Sequence, residues 1–287
     1  MKMLSFGEIL WDVYPDTKAL GGASLNLAAH AALLGEEVYL CSAIGNDELG
    51  KEAKKSAAEI NIKDDFLFID YTHDTGTVLV TLSEGGIPSY DIRDNVAYDF
   101  INKPDLSDKE IDVLAFGTLA LRHKENTKTV RLIISEYSFK EIYADLNIRL
   151  PHSNRESVSF CLSNATIVKI SDEELPCVSD WVLGKKLCET DFVAAISERY
   201  PNIKIIIITK GDNGSFAFLT NTKDFIFADA VPTEVVSTVG ATDSFGAAFL
   251  TKYFEEKEIS ECLSFASKIS AYVCSKKEAV PKMATIV

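Results

Sequence analysis

Short apolar runs alternate along this chain with longer segments of helical period, a rhythm that predicts βαβ units around a mainly parallel sheet. Buried strands are predicted at Met3–Gly7, Val38–Ile44, Val113–Gly117, Glu141–Asp145, Thr166–Ile170 and Ile203–Thr209. The last is the clearest, because Ile205 to Ile208 is a run of four isoleucines, β-branched and too short for a helix. Helices are predicted over Ser24–Leu34, Asp47–Glu59, Asn126–Ser135, Asp180–Tyr200, Ala241–Glu255 and Ser260–Cys274. The stretch from Phe66 to Phe100 breaks the rhythm. There Thr77–Leu82, a Glu84-Gly85-Gly86 turn and Pro88–Ile92 read as a hairpin. Strands inserted in a βαβ chain usually form a small sheet of their own, so a flap beside the main body is expected. With no internal repeat, low-complexity tract or Ser/Pro-rich linker, residues 1–287 are expected to form one unit.

Composition narrows the function classes. The chain is 47% hydrophobic and 25% charged, an ordinary globular balance that sets disordered and fibrous classes aside. A formal net charge of −14 repels nucleic acid and anionic lipid, so neither is an expected partner. A nucleotide would have to be held through local donors or Mg²⁺. The chain has no run of about 18 apolar residues that would predict a membrane span. Met1–Glu8 turns acidic too early for a signal peptide. The six cysteines (Cys41, Cys161, Cys177, Cys188, Cys262, Cys274) form no C-x-x-C pair and read as buried, reduced thiols of a cytoplasmic protein.

Two segments invite an anion. Gly45-Asn46-Asp47-Glu48-Leu49-Gly50-Lys51 has P-loop spacing up to the lysine, but Glu52 stands where Mg²⁺ needs a hydroxyl. Asp47 and Glu48 would also repel phosphate, so the segment reads as a turn capped by Asn46 or Asp47 entering a helix. Ser237-Thr238-Val239-Gly240-Ala241-Thr242-Asp243-Ser244-Phe245-Gly246 is stronger. Small residues lead there into an apolar helix, and free N–H groups at a helix start can surround an anion. Gly240 and Ala241 let phosphate oxygens approach the backbone, and the helix dipole favours an ionised Asp243 in the first turn. A base for the hydroxyl and donors for the migrating charge are what phosphoryl transfer to an alcohol needs. Spacing alone leaves equally open an Asp243 that only stabilises the helix start.

Other candidates are weaker singly. Gly21-Gly22 opens an Ala-rich helix in which Asn26 could bond a hydroxyl-rich ligand; a helix buried because its residues are small, stopped by Gly35, is the alternative. His30 on that helix reads as a packed histidine, and with His73, His123 and His152 unpaired at helical spacing no zinc site is expected. Thr209-Lys210-Gly211-Asp212-Asn213-Gly214 follows a buried strand, where it either lines a nucleotide or makes a hairpin turn. Asp145, Asn147 and Arg149 lie on one side of a strand end, where sheet-edge ligands bind. Glu174 is either a metal-associated acid or a solvated residue at a helix start. Asp12 has Trp11 and Tyr14 beside it, an aromatic-plus-acid setting suited to a sugar.

Taken in this order, these segments resemble the PfkB/ribokinase family of carbohydrate kinases over nearly the whole chain, the fructokinase-like members above all. The likeness is carried by Gly7-Glu8-Ile9-Leu10-Trp11-Asp12-Val13-Tyr14-Pro15, Gly21-Gly22-Ala23 with Asn26, Phe116-Gly117-Thr118-Leu119-Ala120, and Asp145-x-Asn147-x-Arg149-x-Pro151. The resemblance implies an α/β fold: a ribokinase-like three-layer αβα sandwich with a mainly parallel central sheet and a small β lid. Lid strands would fall within about 9–20 and 66–100. It implies an ATP-dependent kinase, with Mg²⁺, for a primary hydroxyl of a small sugar, fructose first. Sugar contacts are implied at Asp12, Gly21, Gly22, Asn26 and Arg149, and ATP contacts at Thr209, Gly211 and Gly214. Gly240, Ala241 and Thr242 would form the anion hole, Asp243 the base, and Glu174 the magnesium-associated acid. Lid hairpins often expose apolar edges, so a homodimer through Thr77–Ile92 is a further expectation.

Four positions depart from the family pattern. The family usually has Asp-Thr-x-Gly-Ala-Gly-Asp; here the first Asp is Ser237 and the last Gly is Thr242. The usual Asn before the magnesium-associated Glu is Ser171, and the usual Gly of the late Gly-Ala-x-Pro loop is Glu278. Many members of the family are activated by K⁺ held near that first Asp and that loop, so Ser237 and Glu278 together imply independence of K⁺. The departures also motivate an alternative, a catalytically impaired sugar-binding or interaction protein on the same fold. A Rossmann oxidoreductase is disfavoured, because no G-x-G-x-x-G follows the first strand.

Overall fold

The predicted apolar runs are strands and the periodic stretches between them helices in the computed structural model, which describes residues 1–82 and 88–282. The Glu84-Gly85-Gly86 turn lies outside the described residues. The chain begins β1 (Lys2–Phe6), β2 (Leu10–Val13), β3 (Lys18–Gly21), α1 (Ala23–Leu33), β4 (Glu37–Gly45), α2 (Glu48–Glu59) and β5 (Leu67–Asp70). It continues with β6 (Gly76–Leu82), β7 (Pro88–Ile92), β8 (Val113–Gly117), α3 (Lys124–Glu136), β9 (Glu141–Asp145) and α4 (Arg155–Asn164). Then come β10 (Ile167–Ser171), α5 (Leu175–Leu183), α6 (Glu189–Arg199), β11 (Ile205–Thr209) and β12 (Ser215–Leu219). β13 (Asp224–Ala228), α7 (Ala241–Phe254) and α8 (Ile259–Cys274) complete the described elements.

Nine strands form one sheet in the order β13-β12-β11-β10-β9-β8-β1-β4-β5. All neighbours from β5 to β11 are parallel, and β12 and β13 add antiparallel at one edge. Parallel strands need cover on both faces, which is why their sequences are continuously apolar. Leu27, Ala53, Phe249 and Leu263 from α1, α2, α7 and α8 cover one face. Val130, Val158, Val178 and Ile196 from α3 to α6 cover the other. The result is a three-layer αβα sandwich. Beside it stands a four-stranded sheet, β3-β2-β6-β7, in which β2 runs antiparallel to β3 and parallel to β6. This small lid sheet rests on Val96 and the fully buried Tyr98 through Leu10, Val78 and Val80. Arg122 anchors its base, donating to Asp99 at 2.7 Å and to the Arg93 carbonyl at 2.6 Å.

Some expectations need correction. Leu67–Asp70, inside the stretch that breaks the helical rhythm, belongs to the main sheet, where it pairs with β4. The helix expected over Asp180–Tyr200 is two helices, because Gly184 adopts a left-handed conformation (φ +70°) and ends α5. α4 and the β12–β13 hairpin were not foreseen. Cys188 is exposed and Cys177 and Cys274 are half-buried, so only Cys41, Cys161 and Cys262 are buried thiols; all six are free. Among the described residues no helix is long and apolar enough to cross a membrane.

β1 has β4 on one side and β8 on the other, so the sheet changes its direction of growth there. The crevice at the carboxyl ends of such strands is where open α/β sheets bind ligands. Gly76, at the root of the lid, lies against the Tyr98 ring, and a Cβ added there would meet the ring at 2.5 Å. Gly76→Ala is therefore expected to destabilise the protein by about 1–3 kcal/mol, as overpacking does. Urea unfolding measures this, and an unchanged midpoint would mean that the ring has room to move.

Candidate active site

Two cavities open at the crevice and share Asp145 and Asn147 in their walls. The smaller, about 20 Å³, is lined by Ser5, Glu8, Ser24, Thr118, Asp145 and Asp243 and has room for one water. The larger, about 480 Å³, runs from Arg149 and Lys169 past Thr209 and Gly211 to Ala241 and Thr242. That volume suits a small-molecule site. The α7 side of the sheet supplies the wall for a simple reason. Side chains alternate along a strand, so Tyr143 and Asp145 of β9 share one face, as do Ile167 and Lys169 of β10.

α7 starts at Gly240, whose φ of +80° and close contact with the Ala279 backbone leave no place for a Cβ. No side chain caps the helix. The Ala241 amide donates to the Thr238 carbonyl at 3.2 Å, so of the three amides expected to serve an anion those of Thr242 and Asp243 remain as first-turn donors. The Thr242 side chain is exposed at the cleft, on a helical backbone. Asp243 is 5% exposed, and Asn26 Nδ2 donates to its Oδ2 at 2.8 Å. Burial, reinforced by the nearby Asp145, pushes the Asp243 carboxyl up to about 7, while the Asn26 bond, Lys169 and Arg149 oppose the rise. A carboxyl balanced near neutrality suits a general base.

Of the positions expected on the sugar side, Asn26 bonds this carboxyl and Arg149 acts on it electrostatically, whereas Asp12, Gly21 and Gly22 line neither cavity. Gly22 caps α1 with a φ of +107°, and a Cβ there would strike the Glu8 carbonyl at 2.5 Å. α1 then carries Asn26 to Asp243, and the Asn26 Oδ1 is buried with no partner among the described residues. Asp12 on β2 pairs with Ala19 on β3, and its carboxylate reaches to Gly21, where an added Cβ would lie 2.8 Å from Oδ2. Burial pushes Asp12 up to about 6, with Arg149 opposing. Arg149 thus acts on Asp12, Asp145 and Asp243 together. Trp11 does not join Asp12 in an aromatic setting. Adjacent strand residues face opposite sides, and its indole N–H donates to the Leu49 carbonyl at 3.0 Å.

On the cleft side, Thr209 ends β11 with its Oγ1 buried and unpartnered among the described residues. Gly211–Asn213 form the turn between antiparallel β11 and β12, so this segment is a hairpin turn and a cleft wall at once. Gly211 has φ +51° with open space beside it, whereas a Cβ on Gly214 (φ +82°) would strike the Ala228 carbonyl. Glu174 accepts from the Ile148 amide and from the Ser171 amide at 2.8 Å, tying the end of β9 to the end of β10. Among the described residues no cluster of three potential ligands could hold a metal by itself. Mg²⁺ carried on nucleotide phosphates needs only one or two carboxylates, and Glu174, with lone pairs to spare beyond these two bonds, fits that need.

The remaining predicted positions are structural or peripheral. Asp47 caps α2, as the P-loop-like segment suggested it could. His30 is buried, its Nε2 2.9 Å from the Ala279 carbonyl, and burial pushes it down to about 4. The neutral ring therefore donates there. Ser237 Oγ accepts from the Val239 amide at 3.2 Å, and Glu278 is exposed.

Two groups were missed. Glu8 is 2% exposed in the small cavity, bonded by the Ser24 amide at 3.4 Å and hydroxyl at 3.3 Å, and burial raises its carboxyl above the usual range. Its signal was an acid directly after a buried strand. Lys169, 2% exposed, pairs with Asp145 at 2.7 Å; its signal was a lysine inside the apolar run of β10.

Comparison with known proteins gives the lineage. Probable fructokinase-2 of Arabidopsis thaliana is 28% identical, over 99% of this chain and 93% of its own length. The fructokinase of Xylella fastidiosa with bound ATP superposes with a TM-score of 0.87 at 19% identity, covering 97% of this chain and 94% of that one. An uncharacterised sugar kinase of Pyrococcus horikoshii in complex with ATP gives 0.81 at 24% identity, with 97% and 94% covered. At these identities the solved structures speak for the fold. The pattern of the pfkB family of carbohydrate kinases matches residues 7–286, and the chain belongs to that family.

Proposed function

We propose that this protein is an ATP-dependent kinase that phosphorylates a primary hydroxyl of a small sugar, fructose being the first candidate. The observation that carries the reading is Asp243. It is a buried carboxyl in the first turn of an uncapped helix, in the wall of the small cavity and next in sequence to Ala241 and Thr242 of the large one, and it accepts a hydrogen bond from Asn26. Fructose is supported by the relatives named fructokinases.

The chemistry follows from the donors present. Asp243 takes the proton of the sugar hydroxyl as its oxygen bonds the γ-phosphorus. The bond from that phosphorus to the bridging oxygen breaks, and ADP leaves with the electron pair. Amides of the Gly240–Asp243 turn meet the charge on the transferred group. Thr209, Gly211 and Gly214 border the nucleotide, while Asp12, Gly21, Gly22, Asn26 and Arg149 orient the sugar. Mg²⁺ on the phosphates, near Glu174, would offset part of their charge. The lid sheet excludes water that would otherwise take the phosphoryl group.

The test of the reading is sugar-dependent ADP release over a panel of free sugars, sugar phosphates and nucleosides. Sugar binding without turnover would favour the impaired-protein alternative. Asp243→Asn should lower kcat by about 10²–10⁴-fold while sugar and ATP affinity persist; an active variant would remove Asp243 from the mechanism. Because the base works only when ionised, kcat/KM of the wild type should fall as pH drops through about 7 and level off above it. A flat profile down to pH ~5.5 would contradict that assignment.

Asp12→Ala should raise KM for the sugar far more than for ATP. Equal small effects on both would make Asp12 a plain lid residue. With Ser237 and Glu278 at the positions described, turnover should be indifferent to potassium, sodium or a bulky organic cation at fixed ionic strength. Saturable activation specific to K⁺ would refute this.

A further inference from the structure

Lys169 is 2% exposed in the middle of β10, between Val168 and Ile170, which are fully buried. It lies in register with Asp145 of β9, and its Nζ donates to both carboxylate oxygens, at 2.9 and 2.7 Å. Desolvating a buried ion pair offsets much of its attraction, so stability alone is a weak reason for one here. A function must therefore account for its position. An ammonium has three donors, and two of them are engaged by Asp145. Both residues line the 480 Å³ cleft, and Asp145 alone of the pair also lines the small cavity beside Asp243. The cleft must accept polyanionic phosphates in a protein of net charge −14.

We propose that Lys169 is a further catalytic residue, whose third N–H contacts the phosphoryl group in transfer, and that Asp145 is the positioning residue that aims it. This rests on the kinase reading above. Asp145 explains how a flexible lysine is fixed: both its oxygens hold Nζ, so the remaining donor is confined to the cleft side. The pair also matters to the base. Asp243 faces Asn26 of α1, Tyr143 and Asp145 of β9, Lys169 of β10, Arg149 beyond β9, and Glu8 across the small cavity. Of these, Asp145 raises its proton affinity and Lys169 and Arg149 lower it.

Two full-length variants test the proposal: Lys169→Met, and a double variant that adds Asp145→Asn. Lys169→Met should lower kcat by about 10²–10³-fold, the effect of removing one donor to a transition-state oxyanion, with little change in KM for the sugar. Calorimetry should show it binding ADP like the wild type but losing the preference for the non-hydrolysable ATP analogue AMP-PNP. Its acid limb should move to higher pH, since Asp145 is left uncompensated beside Asp243. In the double variant the limb should lie below the wild-type position, while kcat falls no further than in Lys169→Met, because the two act as a unit. The double variant leaves no unpaired buried charge and serves if the single one does not fold. Wild-type kcat in a folded variant lacking Lys169, or an unchanged preference for AMP-PNP, would overturn the proposal. A wild type without sugar-dependent ADP release would defeat the kinase reading instead, and the nucleotide comparison would still judge Lys169.

Discussion

The hydrogen bond between Asn26 and Asp243 joins residues 217 apart in the chain, and much of the site exists to make it possible. It requires α1 and α7 to lie close together over the carboxyl ends of the central strands. Small residues permit that approach: Ala28, Ala29, Ala247 and Ala248 are all completely buried in one cluster. Gly246 has the Tyr143 hydroxyl and Leu27 where a Cβ would stand. A larger residue at any of these places would separate the helices and leave a nearly dry carboxyl without its donor. An unpaired buried charge is costly, so the packing of two helices and the ionisation of one side chain are coupled.

The electrostatics of the site follow from the same closeness. Glu8, Asp145 and Asp243 surround a cavity with space for a single water, and burial pushes the carboxyls up in every case. They are kept distinct by their partners. Glu8 has Ser24, Asp145 has Lys169, and Asp243 has the neutral Asn26. Only the last lacks both a cation in contact and a bond to a helix-start amide, which is why the kinase reading assigns the proton transfer to it. The anion side is built differently: backbone amides of an uncapped helix supply donors without adding charge. On the kinase reading, an acidic protein would hold phosphates through oriented dipoles and the buried ammonium of Lys169.

How much of this could be read in advance depended on how local the cause was. The strand of Ile205–Ile208 and the start of α7 at Gly240 are written in neighbouring residues, and both sit within two residues of their predicted limits. So was the break at Gly184, whose left-handed turn was overlooked because the flanking apolar residues kept helical spacing. α4 also carried a local sign, the Asn154 and Ser157 capping box. Trp11 was misplaced for want of the strand alternation that turns it to Leu49. Non-local facts were out of reach. Nothing near Asn26 announces Asp243, and Lys169 could be recognised as a charge in an apolar run but not as the partner of Asp145. Asp243 itself was legible as an acid in a first turn; its burial, which tunes it, was not.

The positions that differ from the family pattern bear on whether this machinery works. Thr242 and Glu278 are exposed, and Ser237 and Ser171 keep short hydroxyls bonded to nearby backbone amides. The groups in contact are of another kind. Gly240 presses on the Ala279 backbone, His30 holds the Ala279 carbonyl, and Asn26 holds Asp243. These contacts fix where the first-turn amides of α7 point, and an anion hole depends on that direction more than on any side chain at its rim. A neutral His30 is needed, since its Nε2–H serves the carbonyl while its Nδ1 stays buried and unpartnered among the described residues. Protonating it would put a charge beside the helix start, and burial holds it well below that point. The side chains that differ lie at the surface or on the cleft wall, and the backbone geometry that the kinase reading requires is braced from three sides.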